Sequence, residues 1–188
     1  MKTQGKKSIA IDMDGVIADV EAQLIKYYEQ VYGVKTTKEA IKGLSGADAF
    51  PLDAATRTMI YTPGFFRNLE VIPGAVEALT ILKDKYELYI VSAATEFPLS
   101  LFEKVEWLKE HFPFITWHNI VLCGDKSIID TDYMIDDHCK NLNFCKGKAI
   151  MFDAHHNQNE AGHARFFSWT EILEYFEQEE LKFAEASN

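Results

Sequence analysis

Ile9-Ala10-Ile11-Asp12-Met13-Asp14-Gly15-Val16 decides the fold. The run from Ile9 to Ile11 is apolar with β-branched members and follows a charged, polar entry at Lys6-Lys7-Ser8, which is the pattern of a buried strand. Asp12 and Asp14 then arrive at i and i+2. On extended backbone that spacing puts both carboxylates on one side, at the C-terminal end of the strand. Gly15 follows at once, where the chain must turn sharply or let a ligand approach the backbone. Two carboxylates held together repel, and two remedies exist. A divalent cation can be shared between them, or one of them can keep a proton at raised pKa. A calcium loop of the helix–loop–helix kind is excluded, because a strand precedes the motif and Glu21 and Glu29 do not complete the 12-residue ligand spacing.

Outward from that strand, helices and strands alternate. Asp19 is placed to cap a helix over 20–31, with Val20, Leu24, Tyr27, Tyr28 and Val31 at helical spacing and Gly33 ending it. Residues 34–62 read as short helices and turns without a strand, with Asp53 as a cap for a helix over 54–61. Pro73-Gly74 opens a helix to about residue 85, an amphipathic helix covers 97–112 and stops before Pro113, and Ser168 caps a closing helix over 169–179. The acidic run Glu177-Gln178-Glu179-Glu180 is expected to be a fraying, solvated end. Further strands are expected over 86–91, 119–123, 133–135 and 149–152. Such alternation implies a mostly parallel sheet, whose ligands bind at the C-terminal strand ends. At those ends the chain places Asp12 and Asp14, then Ser92, then Lys126 in a following loop, then Asp136-Asp137. One strand ending in an acid is ordinary, whereas an edge gathering four carboxylates, a hydroxyl and a lysine is a catalytic site.

The chain has 188 residues, room for one core and an insert. A net charge of −10 argues against binding a nucleic-acid polymer or an anionic membrane surface, and means that a phosphate substrate would need local positive charge. Cys123, Cys139 and Cys145 lack zinc spacing, and no apolar run of targeting or membrane-spanning length occurs, so reduced thiols and a cytoplasmic location are expected. The adjacent Phe65 and Phe66 cannot both face one core direction. One of them is a candidate stacking surface for a planar ligand, with burial of both as the plain alternative. His155 and His156 read as solvent-facing, and Trp107 and Trp117 as core or surface packing around the helix and its turn.

Asp12-Met13-Asp14-Gly15-Val16, Ser92, Lys126 and Asp136-Asp137, in that order, resemble the four motifs of the haloacid dehalogenase superfamily of phosphotransferases. With Phe65-Phe66, Pro73-Gly74-Ala75-Val76-Glu77-Ala78 and His156-Asn157-Gln158 added, the chain resembles the 5'(3')-deoxyribonucleotidases over roughly residues 8–176. The resemblance implies a Rossmann-like three-layer α/β/α core with a parallel sheet (1–16 and 73–188) and a small helical cap (17–72). It implies hydrolysis of (deoxy)ribonucleoside monophosphates through an aspartyl-phosphate, with Asp12 as nucleophile and Asp14 as general acid, then base. Mg2+ would be held by the carboxylate of Asp12, the backbone carbonyl of Asp14 and one of Asp136 and Asp137. Ser92, with Ala93 beside it, and Lys126 would bind phosphate, and Phe65 and Phe66 would meet the base. Three departures stand out: Ala93 occupies the place of a second hydroxyl in animal members, His138 replaces a common arginine, and the region from Leu44 to Phe50 aligns poorly with the cap aromatic expected upstream. A small-molecule nucleoside monophosphate is the implied partner, and a homodimer is left open. The competing readings are a phosphatase of the same fold for another small metabolite and a non-enzymatic receiver-like domain carrying a phosphorylated Asp. Receivers place that Asp on a middle strand and lack a cap.

Overall fold

The computed structural model describes residues 5–52 and 54–186. Its centre is a six-stranded sheet, every pairing parallel, in the order β3-β2-β1-β4-β5-β6. The strands are β1 (Ser8–Ile11), β2 (Glu87–Ser92), β3 (Ile120–Leu122), β4 (Tyr133–Asp136), β5 (Lys148–Phe152) and β6 (Ala164–Phe166). β1 is buried along its length and pairs on both edges, Ile11 aligning with Ile90 of β2 and with Ile135 of β4. Its apolar composition follows, since a strand covered on both faces has no solvent side to make polar.

Period-two alternation sorts the sheet's side chains into two cores. Ile9, Ile11, Leu88, Ile90, Tyr133, Ile135, Ile150 and Phe152 point to one face, and Ala10, Val91, Met134 and Met151 to the other. The first face is the heavier. There α5 (Ala75–Lys85), α6 (Pro98–His111) and α8 (Trp169–Ala186) contribute Leu79, Leu82, Trp107, Leu108, Trp169, Ile172 and Phe176 to one continuous core. The second face is covered by the short α7 (Cys139–Leu142), through Cys139 and Leu142. Trp107 and Trp169 are fully buried, and each donates its indole N–H to a backbone carbonyl, Leu69 and Val16 respectively, at 2.8 and 2.9 Å. Burial of a tryptophan requires such a partner for its one donor.

Between β1 and α5 the chain runs through α1 (Val20–Tyr32), α2 (Lys38–Ile41), α3 (Gly46–Ala49) and α4 (Ala55–Ile60), and no strand occurs among the described residues of 34–62. Asp19 caps α1 by accepting from the Ala22 N–H at 2.9 Å, and Gly33 ends it at φ +68°. The cap expected at Asp53 lies outside the described residues. The segment leaves and rejoins the sheet side by side. Asp19 N–H bonds to the Glu70 carbonyl at 2.8 Å and Ile72 N–H to the Ile17 carbonyl at 2.9 Å.

Two expectations need correction. Residues 164–166 form a sixth strand, too short and too charged at Arg165 to show as an apolar run. The closing helix continues to Ala186 instead of ending near 179, and Glu179 and Glu180 lie within it, paired at the surface with Lys148 and Lys85. Its start is as expected, with Ser168 Oγ accepting from the Glu171 N–H at 3.2 Å.

Candidate active site

The strand order reverses between β1 and β4, the topological switch point where open parallel sheets bind ligands. Asp12 follows β1 and Asp136 ends β4, one on each side of it. Their link is Lys126, which begins a single 3-10 turn after β3. Lys126 Nζ lies 2.7 Å from Asp12 Oδ1 and 2.7 Å from Asp136 Oδ2, and all three residues are buried. The two carboxylates hold the ammonium charged and push its pKa up against the opposing effect of burial.

Each acid has a different occupation. Asp12 Oδ1 accepts from the Met13 N–H at 2.7 Å as well as from Lys126, while among the described residues no donor is directed at Oδ2. Asp136 is saturated: Oδ1 accepts from His138 N–H and Asn141 Nδ2, and Oδ2 accepts from Lys126 and Asn141. Asp137 is equally buried, yet its Oδ1 has no hydrogen-bond partner. Burial above all pushes Asp12 up to about 7, against the lowering effect of Lys126, and the charges of Asp136 and Asp14 add to the rise. Burial and the charges of Asp12 and Asp136 likewise hold Asp137 well above the usual carboxylate range. The raised pKa falls on Asp12, and the oxygens that gather for a cation join Asp12 to Asp136 and Asp137, without the Asp14 carboxylate. Asp12, Asp136 and Asp137 offer oxygens within 4.8 Å of one another, a hard-oxygen donor set suited to a divalent cation. The orphaned Asp137 oxygen fits that use, since a buried acceptor left unpaired is costly.

Gly15 is indispensable to this geometry. Its φ is +75°, and a Cβ there would lie 2.2 Å from Asp137 Oδ2. The backbone carbonyl of Asp137 is fixed by Asn157, whose Nδ2 donates to it and to the Phe152 carbonyl, both at 2.8 Å. His155 and His156 are half-buried and bonded, contrary to the expectation of a solvent-facing pair. His155 Nδ1 meets Glu21 Oε2 at 2.7 Å, and His156 Nε2 lies 3.2 Å from the Asp137 carbonyl.

One functional candidate escaped the sequence reading. Lys104, on α6, is fully buried. Its Nζ donates to Asp14 Oδ2 at 2.5 Å and to Ser92 Oγ at 2.9 Å, and sits over the Phe66 ring at 4.5 Å from its centroid. The signal was a lysine on the buried stripe formed by Ser100, Lys104, Trp107 and Leu108. Ser92, accepting from Lys104, keeps its own O–H to donate. Ala93 beside it is exposed. Phe65 and Phe66 are both buried, in edge contact at 5.1 Å; Phe65 also packs on Tyr27 and Phe66 beneath Lys104. Next door, Glu103 accepts from the backbone N–H groups of Gly64, Phe66 and Arg67 at 2.6, 3.1 and 3.2 Å, tying the two phenylalanines to α6. A cleft of about 990 Å³ opens from Asp14, Gly15 and Asp137 outward between Lys38 and Phe50 on one side and His156 on the other.

Solved structures with this fold define the class. The chain superposes on a haloacid dehalogenase-like hydrolase from Streptococcus pneumoniae (TM-score 0.58, 14% identity, 93% of this chain and 100% of that one). It does so on a putative beta-phosphoglucomutase from Thermotoga maritima (TM-score 0.60, 17% identity, 92% and 99%). A putative hydrolase of the same superfamily from Bacillus subtilis, bound to magnesium, matches at TM-score 0.56 with 12% identity, over 90% and 98%. The fold is that of the haloacid dehalogenase superfamily.

Sequence narrows it further. The family model for 5' nucleotidase, deoxy (pyrimidine), cytosolic type C protein matches residues 6–179. A 5'(3')-deoxyribonucleotidase of Bacillus subtilis is 43% identical over 173 residues, 89% of this chain and 96% of that protein. A putative 5'(3')-deoxyribonucleotidase of Staphylococcus epidermidis is 39% identical over 172 residues, 91% and 96%. The chain belongs to this deoxyribonucleotidase family and is a phosphoric monoester hydrolase. Among the described residues no helix is long and apolar enough to cross a membrane.

Proposed function

We propose that the chain hydrolyses deoxyribonucleoside monophosphates, with Asp12 as nucleophile. The observation that carries this reading is the Asp12–Lys126–Asp136 chain at the switch point, which pins one oxygen of Asp12 and leaves the other undirected. Asp12 Oδ2 attacks phosphorus as the P–O bond to the sugar breaks, and Asp14 gives its proton to the leaving alkoxide. Asp14 then takes a proton from water as that water's oxygen attacks the aspartyl-phosphate, releasing phosphate and restoring Asp12. Lys126 and Lys104 supply the positive charge that an acidic protein needs against an anionic substrate, and Ser92 donates to a phosphoryl oxygen. Lys104 joins the phosphate side to Asp14 and is held there by the face of Phe66.

The Asp12 carboxylate, the Asp14 backbone carbonyl and Asp137 would hold Mg2+, Asp136 being committed to Lys126, His138 and Asn141. When bound, Mg2+ supplies charge neutralisation at the phosphoryl oxygens. Residues 17–72 act as the cap over the site, excluding bulky phosphoproteins while admitting a mononucleotide. Phe66 serves the phosphate end from beneath Lys104, and with Phe65 and Phe66 both buried neither presents a ring face for a base to stack on.

The test is phosphate release with Mg2+ from dUMP, dTMP, dGMP, UMP and 3'-dUMP, beside the Asp12→Asn variant. Preferential turnover of the pyrimidine deoxynucleotides, lost in the variant, supports the whole reading. Turnover of a generic aryl phosphate without that preference keeps the chemistry and refutes the substrate.

A further inference from the structure

Asp137 faces a second set of donors besides the catalytic carboxylates. His138 follows it directly, and His156 comes from the 3-10 turn His155–Asn157 after β5. The two imidazole rings stack at 4.3 Å between centroids with an interplanar angle of 26°. His156 Nε2 lies 3.6 Å from Asp137 Oδ2, and His138 Nε2 lies 4.0 Å from Asp137 Oδ1. Both separations are too long for a hydrogen bond. They match two ligands of a common ion, since metal–ligand bonds of roughly 2.0–2.2 Å leave neighbouring donor atoms about 3–4 Å apart. One donor atom from each of Asp137, His138 and His156 lies within 4.8 Å of the other two.

The unpaired oxygen of Asp137 bears on this set of donors as well as on the carboxylate set. Asp137 is 4% exposed, and its Oδ1, the oxygen nearer His138, is buried without any hydrogen-bond partner. Neither ring nitrogen is close enough to satisfy it, so the site leaves an unpaired acceptor facing an imidazole across a gap of ionic size. His156 Nε2 also lies 3.2 Å from the Asp137 carbonyl, a contact it would exchange for an ion.

Donor chemistry then fixes the class of ion. Magnesium and calcium take oxygen ligands, and magnesium gives up water reluctantly. Two imidazole nitrogens with one carboxylate suit first-row transition-metal dications and zinc. The His138 side chain is 44% exposed and borders the cleft, so the ion has an entry path.

We infer that Asp137, His138 and His156 form a binding site for a zinc-class dication at the rim of the catalytic cleft. Because Asp137 is shared with the oxygen-ligated site, occupation of the rim site withdraws that carboxylate and suppresses hydrolysis. Excess of such an ion is therefore inhibitory, with His138 as the residue that makes it so.

Co2+ is the probe, titrated into the wild-type protein in the presence of excess Mg2+ and followed by visible absorption and calorimetry. One Co2+ per chain, with the visible bands of nitrogen ligation and displacement by Zn2+, is expected. His138→Ala and His156→Ala, each verified as folded by circular dichroism, should weaken that binding at least tenfold. The Zn2+ concentration that halves phosphate release should rise at least tenfold in His138→Ala. Absence of Co2+ binding beyond the Mg2+ site in the wild type would overturn the inference. So would unchanged Co2+ affinity in His138→Ala. The binding readout does not depend on which phosphate ester is hydrolysed, so it stands or falls separately from the substrate assignment.

Discussion

Adding one carbon at Gly15 should disable metal binding while leaving the fold in place. Gly15 has φ +75°, and an alanine there carries a left-handed penalty of about 1–2 kcal/mol. The greater effect is steric. The new Cβ would sit 2.2 Å from Asp137 Oδ2 and 3.0 Å from its Cγ, so the carboxylate must retreat by roughly 0.8 Å to restore even the closest tolerated approach of 3.0 Å. Asp137 cannot yield freely, because it is buried and its carbonyl is fastened by Asn157. A misplacement of about 1 Å in a catalytic constellation costs on the order of 10²-fold. Gly15→Ala should therefore raise the Mg2+ concentration for half-maximal phosphate release by about 10- to 100-fold and reduce kcat. The backbone penalty alone should lower Tm by about 2–8 °C for a chain of this length. Metal titration of turnover, calorimetric Mg2+ binding and a melting curve separate these effects. Normal Mg2+ half-saturation with normal kcat would refute both the placement of Asp137 at the metal and the role given to Gly15.

Lys104→Met keeps the length of the side chain and removes its charge. By analogy with loss of one transition-state donor, kcat should fall about 10²- to 10³-fold, and a loss under threefold in steady-state assays would remove Lys104 from the mechanism. Glu103→Ala deprives the amides of Gly64, Phe66 and Arg67 of their acceptor, and urea unfolding should show a loss of about 2–3 kcal/mol, with a near-neutral result refuting the anchor. The pH behaviour of the metal-free protein has two opposed parts. Asp12 is raised from 3.8 to about 7 on folding, so its contribution is lost as pH rises through that window, whereas His156 is lowered from 6.5 to about 4 by burial and its contribution is lost as pH falls through its window. Asp12→Asn removes the first part, so its unfolding free energy should climb more steeply between pH 5 and pH 7 than that of the wild type; parallel curves would refute the raised Asp12 pKa. For the same reason Mg2+ binding should expel more protons at pH 6 than at pH 8, a difference visible by calorimetry in buffers of different ionisation enthalpy.

Much of this site was legible because local chemistry and topology agreed. Ile9 to Ile11 announced a strand buried on both faces, and the i, i+2 spacing of Asp12 and Asp14 placed both carboxylates at its end. The switch-point rule then gathered Lys126, Asp136 and Asp137. Lys104 was hidden because the reading of α6 sought its apolar stripe, where a lysine looks like an error; only tertiary structure supplies Asp14, Ser92 and the face of Phe66 as its reasons. The strand Ala164–Phe166 was hidden by length and by Arg165, whose charge is answered by Asp153 and Asn157 across the turn. Which of Asp136 and Asp137 keeps a free oxygen could not be read from two adjacent identical residues. The difference arises from Asn141 and the His138 amide, which saturate Asp136 alone.

The central claim is that Asp12 carries the phosphoryl group. Rapid acid quench of the wild-type protein with phosphorus-labelled dUMP should trap label on the chain, labile to hydroxylamine as an acyl phosphate is, and mapped to the peptide holding Asp12. Asp12→Asn should trap none. Label on another residue, or single-turnover hydrolysis of dUMP at full rate in Asp12→Asn, would contradict the account.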